Sequence, residues 1–173
     1  MAQACLGILL QSDDRFEHIS AGKKSPLARY GAEHWVTHAQ FENVSSNVRQ
    51  AMESLFDQDK PYFAAWLELH DKPYVGSHSM FHQFTPSLRS SAGPLYYAAL
   101  FGFQDVVKHL IVKDPPQVNA NGGYYMMPFV AALAQRDFEL AQLLHCNGSY
   151  VDLYVAINGG VESVQQTSMS AKE

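Results

Sequence analysis

The chain has 173 residues, and 12 Lys+Arg against 17 Asp+Glu give a formal charge of −5. Its 47% hydrophobic content is too high for a chain disordered throughout, no apolar run is long enough to span a membrane, and the acidic balance without a Lys/Arg cluster argues against a nucleic-acid partner. Only 17% of residues are charged, against roughly 25% in an average soluble domain, so either burial is extensive or an apolar face awaits a partner.

The N-terminal residues 1–10 are apolar but lack the basic lead-in of a signal peptide, and Asp13-Asp14 follow. A short buried helix is expected there. The two cysteines, Cys5 and Cys146, form neither a disulfide framework nor a zinc spacing, which fits a reducing, cytoplasmic compartment. Ser25-Pro26 supplies an N-cap and first-turn pair. Leu27, Tyr30, His34, Trp35, His38 and Phe41 follow at intervals of three and four, the spacing of a buried helical stripe. Val44, Val48, Ala51, Met52, Leu55 and Phe56 make a second stripe. Asp59-Lys60-Pro61 opens a third helix carrying Phe63, Ala64, Trp66, Leu67 and Leu69. Residues 1–70 are thus expected to be a helical capping unit. A linker rich in Gly, Ser, His and Pro spans 71–90, and a polar, disordered tail is expected over 158–173.

Between them, 91–157 repeats itself. Pro94-Leu95-Tyr96-Tyr97-Ala98-Ala99 returns 34 residues later as Pro128-Phe129-Val130-Ala131-Ala132-Leu133. The correspondence continues, Val106 with Leu140, Val107 with Ala141, Leu110 with Leu144. Each copy predicts two short helices joined by a tight turn, at Gly102 in the first; Asn147-Gly148 is a stop signal for the second. Asn121-Gly122-Gly123 between the copies permits the positive φ of a hairpin tip.

These residues resemble the ankyrin repeat, whose pattern is Thr-Pro-Leu-His-x-Ala-Ala, then Gly-His, an acidic residue, Val-Val, paired leucines and a Gly-Ala-Asp-Val-Asn end. Pro94 to Ala99, Gly102-Phe103, Asp105 to Ile111 and Val118-Asn119-Ala120 carry the first copy. Pro128-Phe129, Leu143-Leu144 and Gly148 to Asp152 carry the second. Arg136 replaces the turn glycine, Met127 takes the threonine place, and Asp114-Pro115-Pro116 brings one extra residue. Upstream, Ser25 to Trp35, His38 to Phe41, Leu55-Phe56-Asp57 and Lys60 to Leu67 are similar to the helical stretch ahead of the repeats in fungal NACHT–ankyrin proteins, NOD-like STAND receptors. Their nucleotide-binding domain has no counterpart in this sequence, so a fragment of a longer receptor-like protein is expected. The resemblance implies an all-α fold: an N-terminal helical unit packed on a short two-repeat ankyrin solenoid with β-hairpin turns.

Candidate chemistry is sparse. Ala21 to Ser25 lacks two requirements of a phosphate loop, and Asp57-Gln58-Asp59 lacks the glycine and closing Glu of a calcium loop. His34 and His38 share the spacing of a zinc-protease helix, but Trp35 stands where that motif has its glutamate. Packing in the core is the expected role of both. A zinc-dependent hydrolase using His34, His38, His78 and His82 is the alternative, and a bare spacer a third reading. The leading expectation is a non-enzymatic module, without cofactor, metal or catalytic residue, that binds an unidentified protein partner. Further ankyrin repeats or an upstream nucleotide-binding domain belong to longer relatives. The resemblance places partner contacts at Leu100, Phe101 and Gln135 and at the tip residues Tyr124, Tyr125 and Met126, with Phe101 an anchor if it is exposed and the patch smaller if it is buried. Gly102, Gly122, Gly123 and Gly148 are assigned to turns.

Overall fold

The computed structural model describes residues 1–11, 26–41, 44–70 and 92–150, apart from the Ser45 side chain. The described residues are all-α, with no strand among them. Four helices make the N-terminal part: α1 (Ala2–Leu10), α2 (Pro26–Ala39), α3 (Val44–Leu55) and α4 (Tyr62–His70). Two helix pairs follow. The first is α5 (Pro94–Leu100) and α6 (Gln104–Lys113), extended by a 3-10 turn over Pro115–Asn119; the second is α7 (Pro128–Ala134) and α8 (Phe138–Cys146). No described helix is long and apolar enough to cross a membrane.

α1 buries Ala2, Cys5, Leu6 and Leu9 against α2 and α3. The close partner surface on α2 is its small-residue face: Ala28, Gly31, Ala32 and Ala39, with Trp35 among them. A Cβ at Gly31 would stand 3.3 Å from the Cys5 carbonyl oxygen. This corrects the expected stripe. Leu27, Tyr30 and Phe41 are exposed, as is His34, while His38 is half-buried; none of the five is a core residue. The side chains with least bulk let two helix backbones approach, so the large ones on α2 were turned outward, Trp35 excepted.

Trp35 reaches an aromatic core. Its ring stacks on Phe103 at 5.5 Å and meets Phe56 and Trp66 edge-on at 6.0 and 5.8 Å. Trp66 donates from its indole to the Ala32 carbonyl at 3.1 Å and contacts Tyr97 and Phe101. Each such ring contributes on the order of 2 kcal/mol by leaving water. The cluster therefore joins the N-terminal helices to the first pair as one core.

The 34-residue correspondence holds in backbone geometry. α5 and α7 start at Pro94 and Pro128 and have seven residues each. Proline suits the first helical turn because its missing N–H would have no intrahelical acceptor. Two residues after each helix stands a left-handed residue, Gly102 at φ +75° and Arg136 at φ +61°. In each copy the next N–H reaches back to the same carbonyl: Phe103 to Ala98, and Asp137 to Ala132, both at 3.0 Å. The residue entering the second helix differs. Asp137 caps α8 by accepting from the Leu140 N–H at 3.0 Å, whereas Phe103 spends that position on the aromatic core. At α5 a distant residue performs a capping role: buried Gln117 accepts from the Leu95 N–H at 3.4 Å and donates to Asp114 at 2.8 Å.

A polar clamp ties α6 to the α3–α4 turn. Lys113, in the last turn of α6, pairs with Asp57 and, at 2.9 Å, with Asp59. Asp57 also accepts from the Asp59 N–H at 3.1 Å. The bond from Lys113 holds the Asp57 carboxyl below its ordinary value of 3.8. A lowered folded value means that the carboxylate stabilises the fold above the unfolded value and loses that effect as pH falls through the folded one. Asp57→Asn is therefore expected to lower the thermal midpoint at neutral pH. The gap from the parent protein should close below about pH 4; a gap unchanged by acid would remove the clamp from the stability of the fold.

Candidate functional site

The segment between the two pairs is shaped by Tyr96. Its hydroxyl accepts from the Tyr125 N–H at 3.1 Å, and burial pushes the phenol above its ordinary range. Gly123, at φ +73°, lies directly on the Tyr96 ring: a Cβ there would fall 2.3 Å from Cζ. The turn closes through Met126 N–H to the Gly123 carbonyl at 3.2 Å and Gly122 N–H to the Met126 carbonyl at 2.7 Å. The expected hairpin is thus a tight turn without strand pairing. Its second left-handed residue is Met126, at φ +67°, while Gly122 carries no positive φ. Gly148, assigned to the turn after the last helix, is left-handed at φ +91°.

The residues assigned to partner contact are divided by this geometry. Tyr124 is exposed, its ring 4.8 Å from that of half-buried Tyr125. Met126 is half-buried and Gln135 exposed. These four remain reachable. Phe101 does not meet the condition for an anchor: it is half-buried at the other end of α5, packed against Trp66, Tyr97 and Phe103, and its carbonyl accepts from Gln40 at 3.1 Å. It seals the seam between the N-terminal helices and the first pair. Leu100 is likewise half-buried against the core.

A surface the sequence reading missed lies on the second pair. Leu133 is 39% exposed and Phe138 68% exposed. Their counterparts 34 residues earlier have neighbours. Ala99 is fully buried, and Gln104 reaches across to Glu139 at 3.5 Å. Further links run the same way between the copies: Asn119 donates to the Gly148 carbonyl at 2.9 Å and accepts from the Tyr150 N–H at 3.1 Å. Phe138 therefore occupies the position from which, in the first copy, Gln104 reaches the next pair, and Leu133 a position that is buried in the first copy. The signal was present in the sequence as Leu133 replacing a small Ala99 and Phe138 replacing Gln104.

His78 and His82, Ala21 to Ser25, the 71–90 segment and residues 151–173 lie outside the described residues. Among those described, no three His, Cys, Asp or Glu side chains gather into a metal centre. Cys5 and Cys146 are free thiols, one buried and one exposed. Comparison with protein-family models, with curated proteins and with solved structures finds no match to this chain.

Proposed function

We propose that this chain is a non-enzymatic protein-interaction module of two ankyrin-type repeats behind a helical cap, resembling the linker and first repeats of fungal NACHT–ankyrin receptors and working in the cytoplasm. The observation that carries the reading is the exposed pair Leu133 and Phe138, with Phe138 at the position from which Gln104 of the first copy reaches the next pair. The recurrence of a proline-started helix, a left-handed turn residue and a second helix supports the ankyrin assignment. Interfaces draw their energy from a few buried apolar anchors surrounded by neutral contacts. Phe138 and Leu133 are suited to that part, with Tyr124 and Gln135 as further contacts. Phe101 drops out of the patch because its ring is spent on the core.

The test is comparative capture from a source extract by three folded proteins: the parent, Leu133→Glu with Phe138→Glu, and a control with Val112→Glu, whose parent side chain is also exposed. A protein bound by the parent and the control should bind at least tenfold more weakly to the double variant. If no protein shows that pattern, the face does not dock a partner and the interaction reading loses its support.

A further inference from the structure

We propose that His34 and His38 bind one borderline divalent transition-metal ion, Cu²⁺ ahead of Zn²⁺, on the outer face of α2. Side chains four residues apart are neighbours on a helix surface, and two histidines so placed can share an ion. The sequence pattern alone favoured packing for both, but packing is not their role: His34 is exposed and His38 half-buried, so solvent reaches each ring. The rings are also organised. Tyr30, one turn before His34, sets its ring 4.6 Å from that of His34 and 6.2 Å from that of His38. Its hydroxyl lies 3.2 Å from Nε2 of His38.

An oxygen on one ring nitrogen is the contact that typically orients a metal-binding histidine and fixes its tautomer. With Nε2 engaged by the phenol, Nδ1 of His38 is the nitrogen left for an ion. The adjacent carboxylate, Glu33, is paired with Arg29 at 2.8 Å and is not needed as a ligand. Imidazole nitrogen suits Cu²⁺ and Zn²⁺, and the stability order places Cu²⁺ higher. Two protein ligands leave the other coordination positions to water. The site binds without hydrolysing: the position that would hold a general base is Trp35, which is fully buried.

An ion bridging two side chains one turn apart holds that turn helical and stabilises the folded chain by mass action. The experiment titrates the untagged full-length protein with CuCl₂ and then ZnCl₂ near neutral pH, followed by calorimetry, with electron paramagnetic resonance at half an equivalent of copper. Two imidazole nitrogens on the tightest copper are expected. His34→Ala and His38→Ala should each weaken binding at least tenfold, with unchanged helical circular dichroism because neither side chain belongs to the buried core. His109→Ala should leave it unaltered. Tight copper binding that survives in the His34→Ala, His38→Ala double variant, or a tightest site with one imidazole or none, overturns the proposal.

Discussion

Trp35→Ala is expected to lower the unfolding free energy by about 3–5 kcal/mol. For a fold worth about 5–15 kcal/mol, that is a large fraction of the total. The side chain has no accessible surface, and its contacts come from three directions: Phe103 across the face, Phe56 and Trp66 at the edges. Its removal opens a cavity in the middle of the ring cluster, which large neighbours cannot collapse to fill. It also cuts the stack that holds the first helix pair to α2. Trp35→Phe tests a second aspect. The indole nitrogen is buried without a hydrogen-bond partner, and an unmet buried donor costs about 1–3 kcal/mol. Phenylalanine keeps a ring and removes that donor, so it should cost no more than about half the alanine effect. Urea unfolding followed by circular dichroism measures both. Equal losses in the two variants would mean that the nitrogen contributes favourably.

Gly123→Ala carries the second large effect, about 2–5 kcal/mol. Left-handed backbone at an alanine costs about 1–2 kcal/mol, and overpacking a filled site adds about 1–3. Both apply here, since φ is +73° and the new methyl would fall within 2.8 Å of three Tyr96 ring atoms. The ring cannot swing aside cheaply because its hydroxyl is held by the Tyr125 N–H. A double-mutant cycle separates the two causes. With Tyr96→Ala as background, the steric part disappears and only the backbone part remains, so the substitution should become less damaging by at least about 1 kcal/mol. An unchanged cost in that background would assign the whole effect to backbone conformation.

Much of the helical order was legible in the sequence because its signals are local. Pro94 and Pro128 open helices where a missing N–H is tolerated, and Val106, Val107, Leu110 and Ile111 lie on one buried face. The face of α2 was misread because periodicity weighs apolar bulk, whereas helix approach at Gly31 rewards its absence. Arg136 was read as a departure from a glycine position, yet it adopts the glycine-like conformation, since neighbouring hydrogen bonds define the turn. Of the candidate site, a chain reversal with a left-handed Gly123 was legible, but not its form, which is a tight turn with Met126 as the second left-handed residue. The role of Tyr96 beneath it was not legible either, because 29 residues separate it from Tyr125. The Lys113 clamp and the Gln117 contact are also long-range and leave no periodic trace. Phe101 was misplaced because its neighbour Trp66 comes from another helix. Leu133 and Phe138 could have been found by comparing the copies position by position.

The placement of the indoles has an optical consequence. The chain has two tryptophans, both inside the aromatic cluster, and the second helix pair has none. Intrinsic emission excited at the indole band thus follows the N-terminal helices and the first pair, while loss of α7 and α8 alone would leave it largely unaltered. Circular dichroism weighs every helix, including the second pair. Coincident melting curves from the two signals would indicate a single cooperative unit, and an earlier ellipticity loss would mark the second pair as the part that opens first.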